Sequence, residues 1–210
     1  MSHLFLPVMQ KRHVKKADAD LDYYPTPPWP TSALCSWLES NVGSLGDLRC
    51  WEPACGEGHM SRTLSEYFGS VRSTDIKSYG FGETLDFLWP NDGESDWIVT
   101  NPPFILGKEF AIAALRKASR GVAILVRSAF LEGKDRFSDL FSGSPPSDIL
   151  QFVERVGMVK GRLDRDVASA TPFSWLVWSK DAQTGTRFHW IPPCRKRLEL
   201  DSDYPAEGLS

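Results

Sequence analysis

"LRCWEPACGEGHMSRTLSEYFGSVRSTDI", residues 48–76, decides the fold. It begins with a short apolar run, Leu48 to Glu52, which Pro53 ends because proline has no N–H to give a strand ladder. Ala54, Cys55, Gly56, Glu57 and Gly58 form a turn whose glycines permit an abrupt change of direction. From His59 a helical pattern follows, and Ser70 to Ile76 returns to a strand pattern. Strand, glycine turn, helix, strand is a βαβ unit, and such a unit implies a parallel sheet.

Working outward, "DWIVT" (96–100) is a further strand, stopped abruptly by Asn101-Pro102-Pro103-Phe104. "KEFAIAALRKAS" has the apolar face of a surface helix, and "GVAILVR" is the most strand-like run in the chain. Upstream, "DYYPTPPWP" must be extended, with Thr31 as the cap of a helix running through "TSALCSWLESNV". Residues 77–95 read as turns around the apolar knot "LDFLW", and residues 131–147 as a polar loop too long for an ordinary connection. "DILQFVERV" and "FSWLVWSK" read as an antiparallel pair at one edge of the sheet. The expected architecture is α/β: one doubly wound, mostly parallel sheet over residues 21–180 with an antiparallel edge strand. Residues 1–20 are expected to be a flexible basic arm, and residues 181–210 an irregular extension.

The chain of 210 residues is long enough for one such domain with a full core. Its net charge of −3 does not by itself announce a nucleic-acid partner, but "KRHVKK" (11–16) and "RKR" (195–197) concentrate positive charge. The four cysteines lack metal-ligand spacing and read as reduced thiols, which points to the cytoplasm; no metal is called for. No apolar run reaches membrane-spanning length. Trp29, Trp51, Trp89, Trp97 and Trp175 are expected in the core.

In open α/β sheets, ligands lie beyond the carboxyl ends of the strands. The residues at those ends are Glu52 with Ala54, Cys55, Gly56 and Gly58; Asp75 with Ile76; Asp86 with Phe87; and Asn101 to Phe104. Glycines that allow close backbone approach, followed about 20 residues later by an acid, form an arrangement for gripping a ribose, and Gly56 and Asp75 are so spaced. Glu52 and Glu57 would repel a phosphate, so the ligand is neutral or cationic. S-adenosylmethionine fits: Glu52 for its positive end, Asp75 for the ribose, Asp86 and Phe87 for the edge and face of adenine.

"WEPACGEGHM" resembles motif I of S-adenosylmethionine-dependent methyltransferases, in the form of the DNA adenine-N6 enzymes of the gamma motif order. "NPPF" is similar to their catalytic motif IV, "YPTPPW" to motif X, and "LDFL" to motif III; "ILVRSAFLEGKDR" and "ATPFSWLVW" resemble the later strands of small phage and prophage members. The resemblance implies a class I, Rossmann-like methyltransferase that flips an adenine out of DNA, duplex or single-stranded. Asn101, Pro102, Pro103 and Phe104 are its expected catalytic residues, with the Asn101 oxygen and the Pro102 carbonyl holding the amine hydrogens and Phe104 stacking on the base. Tyr23, Tyr24 and Thr26 are expected at the methionine end of the cofactor, and S-adenosylhomocysteine is the expected product.

No separate target-recognition domain of the kind carried by larger family members fits after residue 180. The expected nucleic-acid contacts are Lys160, Arg162 and Arg165, with Arg127 and Lys134. Asn-Pro-Pro with an aromatic also suits guanine N2 or adenine N6 in RNA, or a protein glutamine, and a non-catalytic subunit of the same fold is a further alternative.

Overall fold

A computed structural model describes residues 22–90, 93–167, 169–182 and 184–204. The basic stretch 11–16 lies outside the described residues.

The sheet is built around β1 (Arg49–Glu52) and β4 (Ser95–Thr100). β2 (Ser70–Asp75), β3 (Glu83–Thr84), β5 (Ala118–Arg127), β6 (Asp148–Phe152), β7 (Phe173–Ser179) and β8 (Arg187–Ile191) complete eight strands in the order β3-β2-β1-β4-β5-β7-β6-β8. β3, β2, β1, β4 and β5 are parallel, β7 runs antiparallel to both β5 and β6, and β8 is parallel to β6. The chain builds outward from β1 to β3 and then crosses back to β4, so strand order reverses between β1 and β4.

Successive side chains alternate between the two faces of a strand, and here both faces are apolar. Cys50, Trp97, Val99, Ala123, Leu125, Trp175 and Val177 belong to one core cluster, together with Leu34 and Leu38 of α1 (Pro28–Asn41) and Met60 and Leu64 of α2 (His59–Leu64). Their neighbours Trp51, Ile98, Val122, Ile124 and Leu176 belong to the other, against Phe110, Ala111 and Ala114 of α3 (Gly107–Lys117). A sheet covered on both faces needs near-continuous apolar strands, which explains "WIVT" and "VAILV".

Four expectations change. First, α1 begins at Pro28, not after Thr31: Pro28 and Pro30 sit in the first turn, where no N–H is needed and proline's fixed φ suits a helix. Thr31 is a buried residue inside the helix. Second, the antiparallel strand is interior; β6 and β8 lie beyond β7. Third, residues 187–191 are not irregular but form β8, followed by the short helix α5 (Arg195–Leu198). Fourth, the segment expected as a loop at 131–147 contains α4 (Lys134–Arg136) and a π-turn at Phe137–Phe141 that buries Leu140. No helix among the described residues is long and apolar enough to cross a membrane.

Candidate active site

Because β1, β2, β4 and β5 are parallel, their carboxyl ends open on the same side. A cleft of about 970 Å³ lies there, bordered by Glu52, Asp75, Asp86 and Asn101.

The turn after β1 brings backbone into this cleft. Gly56 and Gly58 have φ of +51° and +84°, the left-handed region that side chains disfavour. A Cβ on Gly56 would also lie 2.5 Å from the Tyr23 ring. The Gly56 N–H donates to Asp75 Oδ2 at 2.9 Å, and Lys77 N–H donates to Oδ1 at 3.0 Å. Two backbone donors fix the carboxylate at the end of β2, and its remaining lone pairs can still accept ribose hydroxyls. Burial raises the pKa of Asp75, with the backbone N–H groups of Lys77, Gly56 and Ile76 opposing.

Glu52 is 2% exposed and accepts a hydrogen bond from the Ser61 hydroxyl, which in turn accepts one from Ser73 at 2.7 Å. Burial pushes its pKa up to about 8. Burial thus favours the protonated form of this group at the border of the cleft.

At the adenine end, Phe87 is 2% exposed, and its ring packs against Trp51 and Phe110 with centroids 5.1 Å away. It is a core ring reaching the floor of the cleft, not an open platform. Asp86 accepts from Leu88 N–H at 2.9 Å and holds the turn. Ile76, expected from the sequence, and Trp89, expected in the core, stand open at the cleft, 53% and 65% exposed, as does Ile105 of the loop after Asn101. The sequence does carry a signal for Trp89: it follows the strand-end acid Asp86 by one turn, in a segment that Pro90 closes.

The residues expected at the methionine end divide. Tyr23 packs on Tyr79 at 4.7 Å, and its buried hydroxyl has no partner; burial, with the charge of Glu57, raises its pKa. Thr26 is 4% exposed, and its hydroxyl accepts from Asn101 Nδ2 at 2.9 Å. The Tyr24 carbonyl accepts from the same nitrogen at 3.0 Å. Thr26 and Tyr24 thus position Asn101, and both also border the cleft. Both Asn101 amide hydrogens are committed, which fixes the amide's sense and leaves Oδ1 buried with no partner among the described residues.

Past Asn101 the loop is stiff. Pro103 accepts from Leu106 N–H at 2.8 Å, in a 3₁₀ turn over Phe104–Leu106 that leads into α3. The Phe104 ring meets Tyr24 at 5.1 Å, and the Arg127 guanidinium lies 4.0 Å from its centroid. Phe104 is thus a ring held between neighbours rather than a free face.

The expected basic contacts are only partly available. Arg162 pairs with Asp164 at 2.8 Å, and Arg165 with Asp201 at 2.7 Å. Lys160 is exposed on the same loop, whose Gly161 N–H donates to the Tyr23 carbonyl at 2.9 Å, placing the loop beside the cleft. Arg127 stands at the end of β5, and Lys134 opens α4.

No protein-family model matches the sequence, and no curated protein matches it. Solved structures do. A protein of Listeria monocytogenes described as a class I S-adenosylmethionine-dependent methyltransferase aligns with a TM-score of 0.59 at 14% identity, over 80% of this chain and 65% of its own. One from Pyrococcus horikoshii described as an RNA methyltransferase aligns at 0.59 and 17% identity, over 77% of this chain and 88% of its own. The methyltransferase subunit of a type I restriction-modification system of Streptococcus thermophilus aligns at 0.60 and 10% identity, over 87% and 51%. The fold is that of class I methyltransferases. The chain spans 65% of the Listeria protein and about half of the Streptococcus subunit.

Proposed function

We propose that this protein transfers a methyl group from S-adenosylmethionine to the N6 amine of an adenine extruded from DNA. The observation that carries the reading is Asn101: its Nδ2 is bound by Tyr24 and Thr26, and its Oδ1 is a buried acceptor with no partner among the described residues. An unmatched buried acceptor costs about 1–3 kcal/mol, and an amine hydrogen entering the cleft would satisfy it.

The cleft suits the cofactor. Asp75 would hold the ribose hydroxyls, the Gly56 turn would let the ligand approach the backbone, and Ile76 and Trp89 would flank the adenine. Tyr23, with its unmatched hydroxyl, would meet the methionine end. When bound, S-adenosylmethionine supplies an electrophilic methyl on a sulfonium centre and leaves as S-adenosylhomocysteine.

Adenine's exocyclic nitrogen is a weak nucleophile because its lone pair is delocalised into the ring. Asn101 Oδ1 and the Pro102 carbonyl, accepting one amine hydrogen each, favour a pyramidal nitrogen with its lone pair directed at the methyl. These are fixed dipoles that act by placement. Asn101 takes up no proton; the amine loses its proton to solvent once the N–C bond has made the nitrogen acidic. Apolar contact with the exposed Ile105 of this loop would offset part of the few kcal/mol needed to extrude a base.

The test is direct. The protein and Asn101→Ala are incubated with methyl-labelled S-adenosylmethionine and duplex DNA, single-stranded DNA, RNA or a release factor, and the products are digested. N6-methyladenine from DNA is expected, with loss of about 10²–10³ in rate in the variant. Label found only in RNA or in glutamine would replace the acceptor; equal transfer by the variant would remove Asn101 from the mechanism.

A further inference from the structure

Phe104 is a partition. Its ring, with Pro102 and Ile105, borders both the large cleft and an adjoining cavity of about 290 Å³. The two cavities differ in charge. The large one is bordered by five acids, Asp22, Glu52, Asp75, Asp86 and Glu109, with Lys77 and Arg116, whereas the small one has no acid among its described lining residues and two arginines, Arg127 and Arg136.

Both guanidinium groups are held in place. Arg127 stacks 4.0 Å from the centre of Phe104, and Arg136 lies 4.9 Å from that of Phe130. Arg136 Nε also donates to the Glu132 carbonyl at 2.7 Å. Leu125, Ala129 and Phe130 provide apolar wall. Two cations and apolar surface without a carboxylate suit an anion that carries a flat apolar part. The volume is at the small end of the range for ligand pockets, about 300–1,000 Å³, and leaves room for one such unit.

We propose that this cavity binds the nucleotide next to the acceptor base on the same DNA strand. Arg127 and Arg136 take its phosphate, and Phe130 and Ala129 lie against its apolar surface. The proposal rests on the DNA reading above. A base drawn into the large cleft along Phe104 leaves its neighbour one backbone step away, across the partition. The pairing of Arg162 and Arg165 with carboxylates makes this the better-built phosphate site.

Fluorescence anisotropy of a labelled, adenine-containing DNA single strand, titrated at several salt concentrations, tests it. Arg127→Gln and Arg136→Gln are each expected to weaken binding at low salt. Each should also flatten the dependence of log K on log salt by about 0.7 for every phosphate no longer neutralised. Arg127→Lys with Arg136→Lys should keep the slope, because the charge remains, but bind less tightly than the native forks. A double Gln variant with the native affinity and slope would overturn the proposal while leaving the DNA reading standing. A native protein that binds no DNA would overturn both. Thermal unfolding of each variant distinguishes weaker phosphate binding from misfolding, and exposed Arg127 carries the test alone if Arg136→Gln does not fold.

Discussion

The Asn101 side chain shows how a catalytic group is set by residues that never meet the acceptor. Its usefulness depends on which amide atom is left to accept a hydrogen bond, and the Thr26 hydroxyl and the Tyr24 carbonyl decide that. Thr26→Val removes one of the two oxygen acceptors of Nδ2, leaving the Tyr24 carbonyl and the weaker Met158 sulfur, while preserving shape. The loss of a hydrogen bond of about 1.4 kcal/mol from the positioned state corresponds to about tenfold in rate. We expect that fall in kcat with the cofactor's Kd unchanged, and recovery in Thr26→Ser; a change in cofactor affinity alone would return Thr26 to the cofactor site. Glu52 makes a second prediction at this scale. Its folded pKa of about 8 lies above the ordinary value of 4.5, so the fold holds the proton more tightly than the unfolded chain does. Stability from this group is therefore complete below the ordinary carboxylate range and is lost as pH rises through about 8. Thermal unfolding of the cofactor-free protein should decline over that window and decline less in Glu52→Gln, which stays neutral; parallel profiles would show that Glu52 does not titrate there.

At the scale of elements, the sheet's far edge is the part least legible in the sequence. β8 alternates polar and apolar residues, but its apolar Phe188 and Trp190 are exposed while Arg187 and His189 turn to Asp148, the reverse of a half-buried strand's pattern. It is a strand because of Asp148, on its neighbour β6. That carboxylate is fully buried and accepts from Arg187 Nε and Nη2 at 2.8 and 3.0 Å, with His189 Nε2 at 2.8 Å. Burial alone would raise its pKa, but the bonds from Arg187 and His189 outweigh it and hold the group below the usual value. The Arg187–Asp148 pair spans about forty residues of chain, so no local pattern could announce it. Asp148→Asn keeps the shape but removes the charge, at a cost of about 1.5–3 kcal/mol for a charge-assisted bond. Amide exchange should rise along residues 187–191 and change little in β5, which is tied down by other pairs; uniform acceleration would mean that β8 is no separate unit. The start of α1 departs from expectation for the opposite reason. Prolines that end a helix anywhere else are accommodated in its first turn, and only the path of the preceding chain shows which case applies.

For the whole molecule, what was legible followed from strand ends. Glu52, Asp75 and Asn101 were found because parallel strands must deliver their last residues to one side, and the structure places all three on one cleft. What was not legible was the setting of each group: that burial raises the pKa of Glu52, that Thr26 bonds Asn101, that Phe87 is core and Trp89 open. Those depend on burial and on partners far away in sequence. The cleft also joins both halves of the sheet, since its borders come from β1, β2, β4 and the segment ahead of α1. A ligand held across it should therefore stabilise the molecule as a unit. At a concentration one hundred times Kd the gain is about 2.7 kcal/mol. For a chain of this size each kcal/mol moves the midpoint by about 2–4 °C, so S-adenosylmethionine should raise Tm by roughly 5–11 °C. Asp75→Ala should abolish that rise, because it removes the acceptors for the ribose, while Asn101→Ala should keep most of it. This separates cofactor from acceptor: no shift in the native protein would remove S-adenosylmethionine from the cleft whatever DNA assays give, and a full shift in Asp75→Ala would move the ribose elsewhere in it.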